Sequence, residues 1–409
     1  MRKNQLGDLF VGVGAKHLSA VDVPGISNQH EVGITHHMSE QVLGTGEKQQ
    51  FHVSYLWLGR EQEGISEYGS ATYYDTRANN PKRRAEWRLY YTTNPVVEKM
   101  QEGDALFLVR TQQNQLLFIV TPPASPTERQ LCWLFGIESI GNDFVSQNLE
   151  EDAAELDFTA RYILDEIGIE FEDPNANSLD SIVERFGAEF PTTRILSDLA
   201  RQTLPEVSAE DDPDMALVAW LNHEEALFRR IERNVVSSRL KEGFIDGDAA
   251  DVDAFISFSL SVQNRRKSRM GHSLENHLEA VFKAWSIRYI RGATTENLHK
   301  PDFLFPDQET YLAAPPTGSP GIGMLAAKSS CKDRWRQVLT EAAKITDKHL
   351  LTLEPSISEN QTEQMKDARL QLVVPQPIQR TYTQKQSQWL WSLADLTINL
   401  RGIQRTTKS

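Results

Sequence analysis

The sequence predicts two domains of different class, a mainly β domain followed by an α/β domain, within 409 residues. Three observations carry this. The length favours two or three domains, each with a sizeable core. Between residues 50 and 122, short β-branched and aromatic runs alternate with Gly, Asn and Pro clusters, the pattern of a barrel or sandwich. From Phe190 onward long helical periodicities take over, and short apolar runs then alternate with them, as in an α/β layer.

The β runs are FHVSYLWLG, SATYYDTR, EWRLYYTT, DALFLVR and LLFIVTPP, and LCWLFGI (131–137) is expected to close the domain. The N-terminal MRKNQLGDLFVGVGAKHL has a short apolar patch without a long apolar core or cleavage motif, and is read as part of the fold. After it, LDFTARYILDEIG reads as a helix and DPNANSLD as turn-rich chain. The expected division is residues 1–172, a linker at 173–189, and a second domain at 190–409. In that domain MALVAWLNHEEALFRRIERNVVSSRL (215–240) has helical spacing, with Gly243 as its stop. VDAFISFSLSVQ and GHSLENHLEAVFKAWSI read as two helices flanking the basic NRRKSRM. PDFLFP, GMLAAK and LQLVVP are expected strands, with a helix DRWRQVLTEAAKITDKH between the last two.

Composition excludes several classes. There is no apolar run of about 18 residues, so a membrane span is not expected. Two cysteines, Cys132 and Cys331, exclude a disulfide framework and a cysteine-based zinc site, and suit reduced thiols in the cytoplasm. His36 and His37 are neighbours, but no histidine pair has metal-ligand spacing. A net charge of −14 argues against nucleic acid only until its distribution is read. Residues 150–173 hold ten acids and one base, Arg161, while bases cluster elsewhere. That acidic stretch is read as a solvated helix and linker in preference to a cover for a basic cleft.

One constellation could do chemistry. Asp302 opens PDFLFP, Lys328 ends the AAK run twenty-six residues later, and Glu341 lies thirteen residues beyond that. On the expected helix Arg334, Glu341, Ile345 and Lys348 share a stripe, and Trp335, Val338, Leu339 and Ala342 form the apolar face. Phosphodiester hydrolysis uses such groups. Hard oxygen ligands hold Mg²⁺, and a lysine can orient or deprotonate water and stabilise an anionic transition state. Glu275, on the preceding helix, could support the metal from its outer shell. Taken alone, an acid before one strand and a lysine after another is common and more often means solvent exposure.

The segments NRRKSRMGHSLENHLE, KPDFLFP and AAKSSCKDRWRQVLTEAAKI resemble, in order and length, the catalytic domain of the EcoRII restriction endonuclease family, over residues 264–341. The resemblance continues more weakly from Phe190 to Gly243 and through RLQLVVP to the C-terminus. That family lies in the PD-(D/E)xK nuclease superfamily, in the variant whose second carboxylate has moved from strand to helix. It implies a restriction-endonuclease-like fold, a mixed central sheet flanked by helices, with Asp302, Lys328 and Glu341 catalytic and Asp302 and Glu341 binding Mg²⁺. Glu275 and Tyr311 match further active-site positions, and Lys332, Arg334 and Arg336 match the DNA surface. Arg265 and Arg266, in the matched basic run, would clamp phosphates.

HEVG (30–33), ATYYDTR (71–77) and KRRAEWR (82–88) resemble that family's N-terminal DNA-binding pseudobarrel, which binds a second copy of the recognition site. Lys82, Arg84, Glu86 and Arg88 would then face DNA. Arginine suits bidentate contact with guanine or phosphate, and glutamate can accept from cytosine. Beyond HEVG, residues 1–70 match poorly, and 150–173 has no counterpart.

The implied activity is type II, IIE-like cleavage of double-stranded DNA at a short pseudo-palindromic site such as CCWGG. It would be carried out by a homodimer, with the N-terminal domain regulating cleavage. A cognate methyltransferase would act on the same site without needing to bind this chain. The alternatives are a modification-dependent or repair nuclease, and a DNA-binding regulator that does not cut.

Overall fold

The structure, a computed structural model, describes residues 5–24, 30–59, 64–80, 82–150, 156–169, 176–246, 249–316, 321–331 and 334–406. Two compact units result, Met1–Glu172 and Asp173–Ser409. No described helix is long and apolar enough to cross a membrane.

The first unit is built on one eight-stranded mixed sheet. Its strands are β1 (Phe10–His17), β2 (Glu31–Ile34), β3 (Gln49–Trp57), β4 (Ile65–Asp75), β5 (Trp87–Tyr91), β6 (Ala105–Thr111), β7 (Leu116–Thr121) and β8 (Val145–Asn148). Their order is β2-β5-β4-β3-β7-β6-β1-β8, with β3 and β7 parallel. The expected β runs all lie on β3 to β7. Strands β6 and β7 are buried on both faces. Leu106 and Leu108 enter one core while Phe107 and Val109 enter the other, so DALFLVR reads as an unbroken apolar run.

The second core is covered by α1 (Pro126–Leu134) and α2 (Phe158–Glu166), capped by Ser125 and Asp157. LCWLFGI thus begins inside α1 and is not a closing strand. Strand β1 escapes the sequence pattern because its glycines mark close approach. A Cβ on Gly14 would lie 2.5 Å from the Met38 sulfur, and one on Gly12 would lie 2.8 Å from the Gln147 carbonyl. Residues 36–43, which follow edge strand β2, therefore pack on β1 near the far edge, and Ser146 of β8 bonds Gln41. The sheet is curled.

The second unit has three main helices, α3 (Thr193–Gln202), α4 (Pro213–Glu242) and α5 (Val252–Ala284). A two-stranded turn, β9 (Ile245–Asp246) and β10 (Ala249–Ala250), joins α4 to α5. Gly243 ends α4 at φ 81°, which favours glycine. The expected break between two helices around residue 271 does not exist: α5 is continuous. Nor is 173–189 merely a linker. Val183 is buried, and Leu179, Ile182 and Phe186 pack with it against Leu227 and Phe228 of α4.

The sheet contains β11 (Ile290–Arg291), β12 (Phe303–Phe305), β13 (Gly323–Lys328), β14 (Lys348–Thr352) and β15 (Leu370–Val373), in that order. The first three pair antiparallel and the last three parallel. Phe282 of α5 meets Phe303 and Phe305 edge-on, at 5.2 and 5.3 Å between ring centres. With helices α6 (Gln308–Ala313), α7 (Trp335–Val338), α8 (Glu359–Asp367) and α9 (Leu393–Thr406), this is a mixed sheet flanked by helices, the architecture expected of the second domain.

Candidate active site at one end of the mixed sheet

Because β12 and β13 run antiparallel, the start of one and the end of the other share an edge. That edge brings Asp302 and Lys328 together. Lys328 Nζ donates to Asp302 Oδ2 at 2.8 Å, and the Ala327 amide donates to the same oxygen at 2.7 Å. Both side chains keep partial solvent access, 27% for Lys328 and 17% for Asp302, as a site that receives a substrate requires.

Glu341 joins them by a different route from the one expected. The helix predicted over DRWRQVLTEAAKITDKH is only the four residues of α7, and the chain beyond it turns irregularly, with Ala342 at φ 47°. A continuous helix is incompatible with Lys348, which opens β14 as extended chain. Lys348 takes carbonyls of this turn that a helix would have satisfied, and Lys344 ties the turn to the end of α6. Lys348 Nζ donates to the carbonyls of Glu341, Ala342 and Ile345 at 2.7, 3.0 and 2.8 Å. Lys344 Nζ donates to those of Tyr311, Leu312 and Ala314 at 3.3, 2.7 and 2.8 Å.

Within this turn Glu341 Oε2 is buried without a hydrogen-bond partner. Burial pushes its carboxyl up to about 7. Lys328 and Lys348 pull it down and Asp302 pushes it further up. A carboxylate that interacts with both Asp302 and Lys328, yet has an orphaned oxygen, fits a cation ligand. No cluster of three or more His, Cys, Asp or Glu suited to a metal occurs among the described residues. Mg²⁺ ordinarily takes one or two carboxylates and completes its shell with water and phosphate oxygens, so the pair Asp302 and Glu341 suffices.

Tyr311 is fully buried and donates to Glu296, and burial followed by that bond raises its hydroxyl well above the ordinary value. Glu296 also accepts from the Ala343 amide, and Tyr311 Oη from the Lys344 amide. Tyr311 therefore anchors the turn that carries Glu341. Sequence reasoning missed Glu296 and Lys344 as parts of that anchor, and placed Lys348 only on a stripe of the expected helix. No spacing signal pointed to Glu296 or Lys344, whose partners are the Tyr311 hydroxyl and main-chain groups.

Glu275 lies on α5 and pairs with Arg291 of β11, whose Nη2 is 2.5 Å from its carboxylate. Arg291 also bonds Asn276 and Glu279. The next residue, Gly292, donates its amide to the Asp302 carbonyl, so Glu275 belongs to a cluster one strand removed from the edge.

The basic groups divide. Arg334 is exposed beside α7. Arg336 stacks on the Trp335 ring at 4.7 Å and bonds Gln364, and Lys332 lies outside the described residues. Cys331 is fully buried, with its amide donating to Glu354, as befits a spacer. Arg265 lies over the Phe190 ring at 4.6 Å. Arg266 departs from a phosphate clamp: its Nε is 2.9 and 2.7 Å from the two oxygens of Glu232 on α4. Arg269 is buried against Glu224 and Glu225. Half of that run is therefore helix–helix mortar.

Glu224 itself is fully buried and accepts from His277 at 2.8 Å. Burial alone would raise it, but His277 and Arg269 hold it below the ordinary range. In the first unit Lys82 and Arg84 are exposed on the turn between β4 and β5, while Glu86 is bracketed by Arg77 and Arg88.

Comparison with known proteins bears on the second unit. Residues 228–397 match the family described as EcoRII C terminal. The type II restriction enzyme EcoRII of Escherichia coli is 39% identical over 195 residues, 47% of this chain and 46% of that enzyme. The chain thus spans about half the length of the relative it matches. Among solved structures, metal-depleted Ecl18kI in complex with uncleaved, modified DNA aligns with TM-score 0.46 and 18% identity, covering 57% of this chain and 86% of that one. The PspGI–substrate DNA complex aligns with TM-score 0.43 and 16% identity, covering 53% and 94%. The matched residues 228–397 include Asp302, Lys328 and Glu341.

Proposed function

We propose that the chain is a Mg²⁺-dependent type II restriction endonuclease that hydrolyses phosphodiester bonds of double-stranded DNA at a short pseudo-palindromic site of CCWGG type. The observation that carries this is the edge where Lys328 grips Asp302 while Glu341 keeps an orphaned oxygen, inside the segment that matches EcoRII. Asp302 and Glu341 hold the cation. When bound, Mg²⁺ neutralises charge on the phosphoryl oxygens and makes a coordinated water more acidic.

Lys328, held as an ammonium by Asp302, orients the attacking water and offsets charge in the transition state, while the water's proton passes to the surrounding solvent. Tyr311 and Glu296 fix the turn that presents Glu341. Arg334 and Lys332 contact DNA next to the reacting phosphate. A homodimer cuts the two strands of a two-fold site. The first unit binds a further DNA copy through Lys82, Arg84, Glu86 and Arg88, and regulates cleavage.

The test is digestion of DNA of known sequence by the full chain with Mg²⁺, followed by sequencing of the ends. Cuts at one recurrent short site are expected. Absence of cutting refutes the reading, and cutting confined to methylated DNA replaces it with a modification-dependent nuclease.

A further inference from the structure

At the opposite end of the same sheet lies a cleft of about 760 Å³ that the proposed chemistry does not use. This is within the roughly 300–1,000 Å³ of small-molecule sites. It opens where β13, β14 and β15 begin, at Gly323, His349 and Leu370. Lys328 ends β13 five residues on, roughly 16 Å away at strand spacing.

Three features of the wall select a ligand. Trp389 and Trp391 line it, both half-buried, and the His349 ring sits 5.3 Å from that of Trp391. Flat, partly exposed aromatic walls suit a planar ring. Two acceptors in the same wall have no hydrogen-bond partner, His349 Nδ1 and Asn399 Oδ1. His349 is 5% exposed, and its Nδ1 accepts in the tautomer that carries the proton on Nε2, so the orphan is built in by the fold. Unsatisfied buried acceptors call for N–H donors. Three bases and one acid, Asp347, line the cleft: Lys344 is committed to the carbonyls of Tyr311, Leu312 and Ala314, which leaves the exposed Lys366 and Arg369 at the rim. That balance suits a single phosphate better than a polyphosphate.

We infer that this cleft is a binding site for a purine nucleoside monophosphate whose base carries an amino group. The ring lies against the tryptophans, its N–H groups meet His349 and Asn399, and its phosphate meets Arg369 and Lys366. The inference does not depend on the proposed nuclease reading, since it uses none of the residues at the other edge.

The test titrates the full chain, in EDTA so that no metal bridges a nucleotide to Asp302, with 2′-deoxyadenosine 5′-monophosphate. Tryptophan fluorescence and calorimetry follow binding. Thymidine 5′-monophosphate, which lacks the amino group, and inorganic phosphate are the comparators. The adenine nucleotide is expected to bind at least tenfold more tightly than either. Arg369→Glu, an exposed change, should weaken it at least tenfold, and Lys328→Ala should leave it unchanged. His349→Phe, checked by thermal melting, should remove the preference over the thymine nucleotide. The inference is overturned if the adenine nucleotide fails to bind at millimolar concentration or binds no better than phosphate. It is equally overturned if binding is lost with Lys328→Ala and kept with Arg369→Glu.

Discussion

Two sets of charged residues in the second unit, similar in composition, are arranged in opposite ways. Between α3, α4 and α5 the carboxylates are saturated. Glu224 meets His277 and Arg269, Glu232 meets Arg266, and Glu279 meets Arg194 and Arg291. At the sheet edge the charges are few, partly solvated and left with unused capacity: Glu341 Oε2 has no partner, and Lys328, 27% exposed, bonds Asp302. A saturated network holds helices in place. An edge with spare ligands is available to something that arrives. The contrast separates scaffold from site without any appeal to residue type.

The largest expected effect comes from the edge. Lys328→Ala should lower the cleavage rate by about 10²–10⁴-fold, the usual worth of a proton-handling or charge-stabilising group, with DNA retention in a gel-shift assay and the unfolding midpoint little changed. Unaltered cleavage would dissolve the contrast. In the saturated set the signature reverses. Glu224→Ala strands His277 in the interior, removes one of the two acids paired with Arg269, and should cost about 3–5 kcal/mol, read from urea unfolding, while the folded fraction still cuts at near-normal rate per molecule.

The third prediction turns on pH. Glu341 is raised to about 7, so its folded value lies above its unfolded one near 4.5. Without cation the fold then binds an extra proton between those values, and stability should fall as pH rises through that window. A divalent cation needs the ionised form, so Mg²⁺ should bind more weakly as pH drops below about 7, in a fluorescence or calorimetric titration. Glu341→Gln should flatten both dependences; a Gln variant whose metal affinity still follows pH would assign the titration elsewhere. The smallest effect is expected at Tyr311→Phe. Losing its bond to Glu296 should cost about 0.5–1.5 kcal/mol and slow cleavage by loosening the turn, whereas a rate loss matching that of Lys328→Ala would place Tyr311 at the reacting phosphate.

Much of this was readable in the sequence, for identifiable reasons. The central strands β3 to β7 announce themselves because they are buried and bounded by turn residues. Strands β1, β2 and β8 do not: VGVGAKH is glycine-rich for close approach to residues 36–43, and β8 exposes three of its four residues. Asp302 and Lys328 come together as their places on neighbouring strands imply.

The turn around Glu341 was illegible because its periodicity is helical while its conformation is decided by Lys344 and Lys348, which bond carbonyls and leave no pattern. The partners of Arg266 and Arg269 lie 34 and 45 residues upstream on another helix, where local charge reading cannot reach. The same limit made 173–189 look like a linker when its apolar residues in fact pack on α4.

The two lysines beneath Glu341 have a consequence for variation. They grip oxygen atoms that every amino acid possesses, so the loop they hold is specified by its path and hardly by its lettering. Solvent-facing Ala343 and Thr346 should accept broad randomisation, provided Lys344, Lys348 and the left-handed Ala342 remain, with glycine a natural substitute at that last position. A library over those two positions would alter the surface beside the carboxylate while leaving the carboxylate where it stands, which makes this short loop the place to begin in reshaping what the edge accepts.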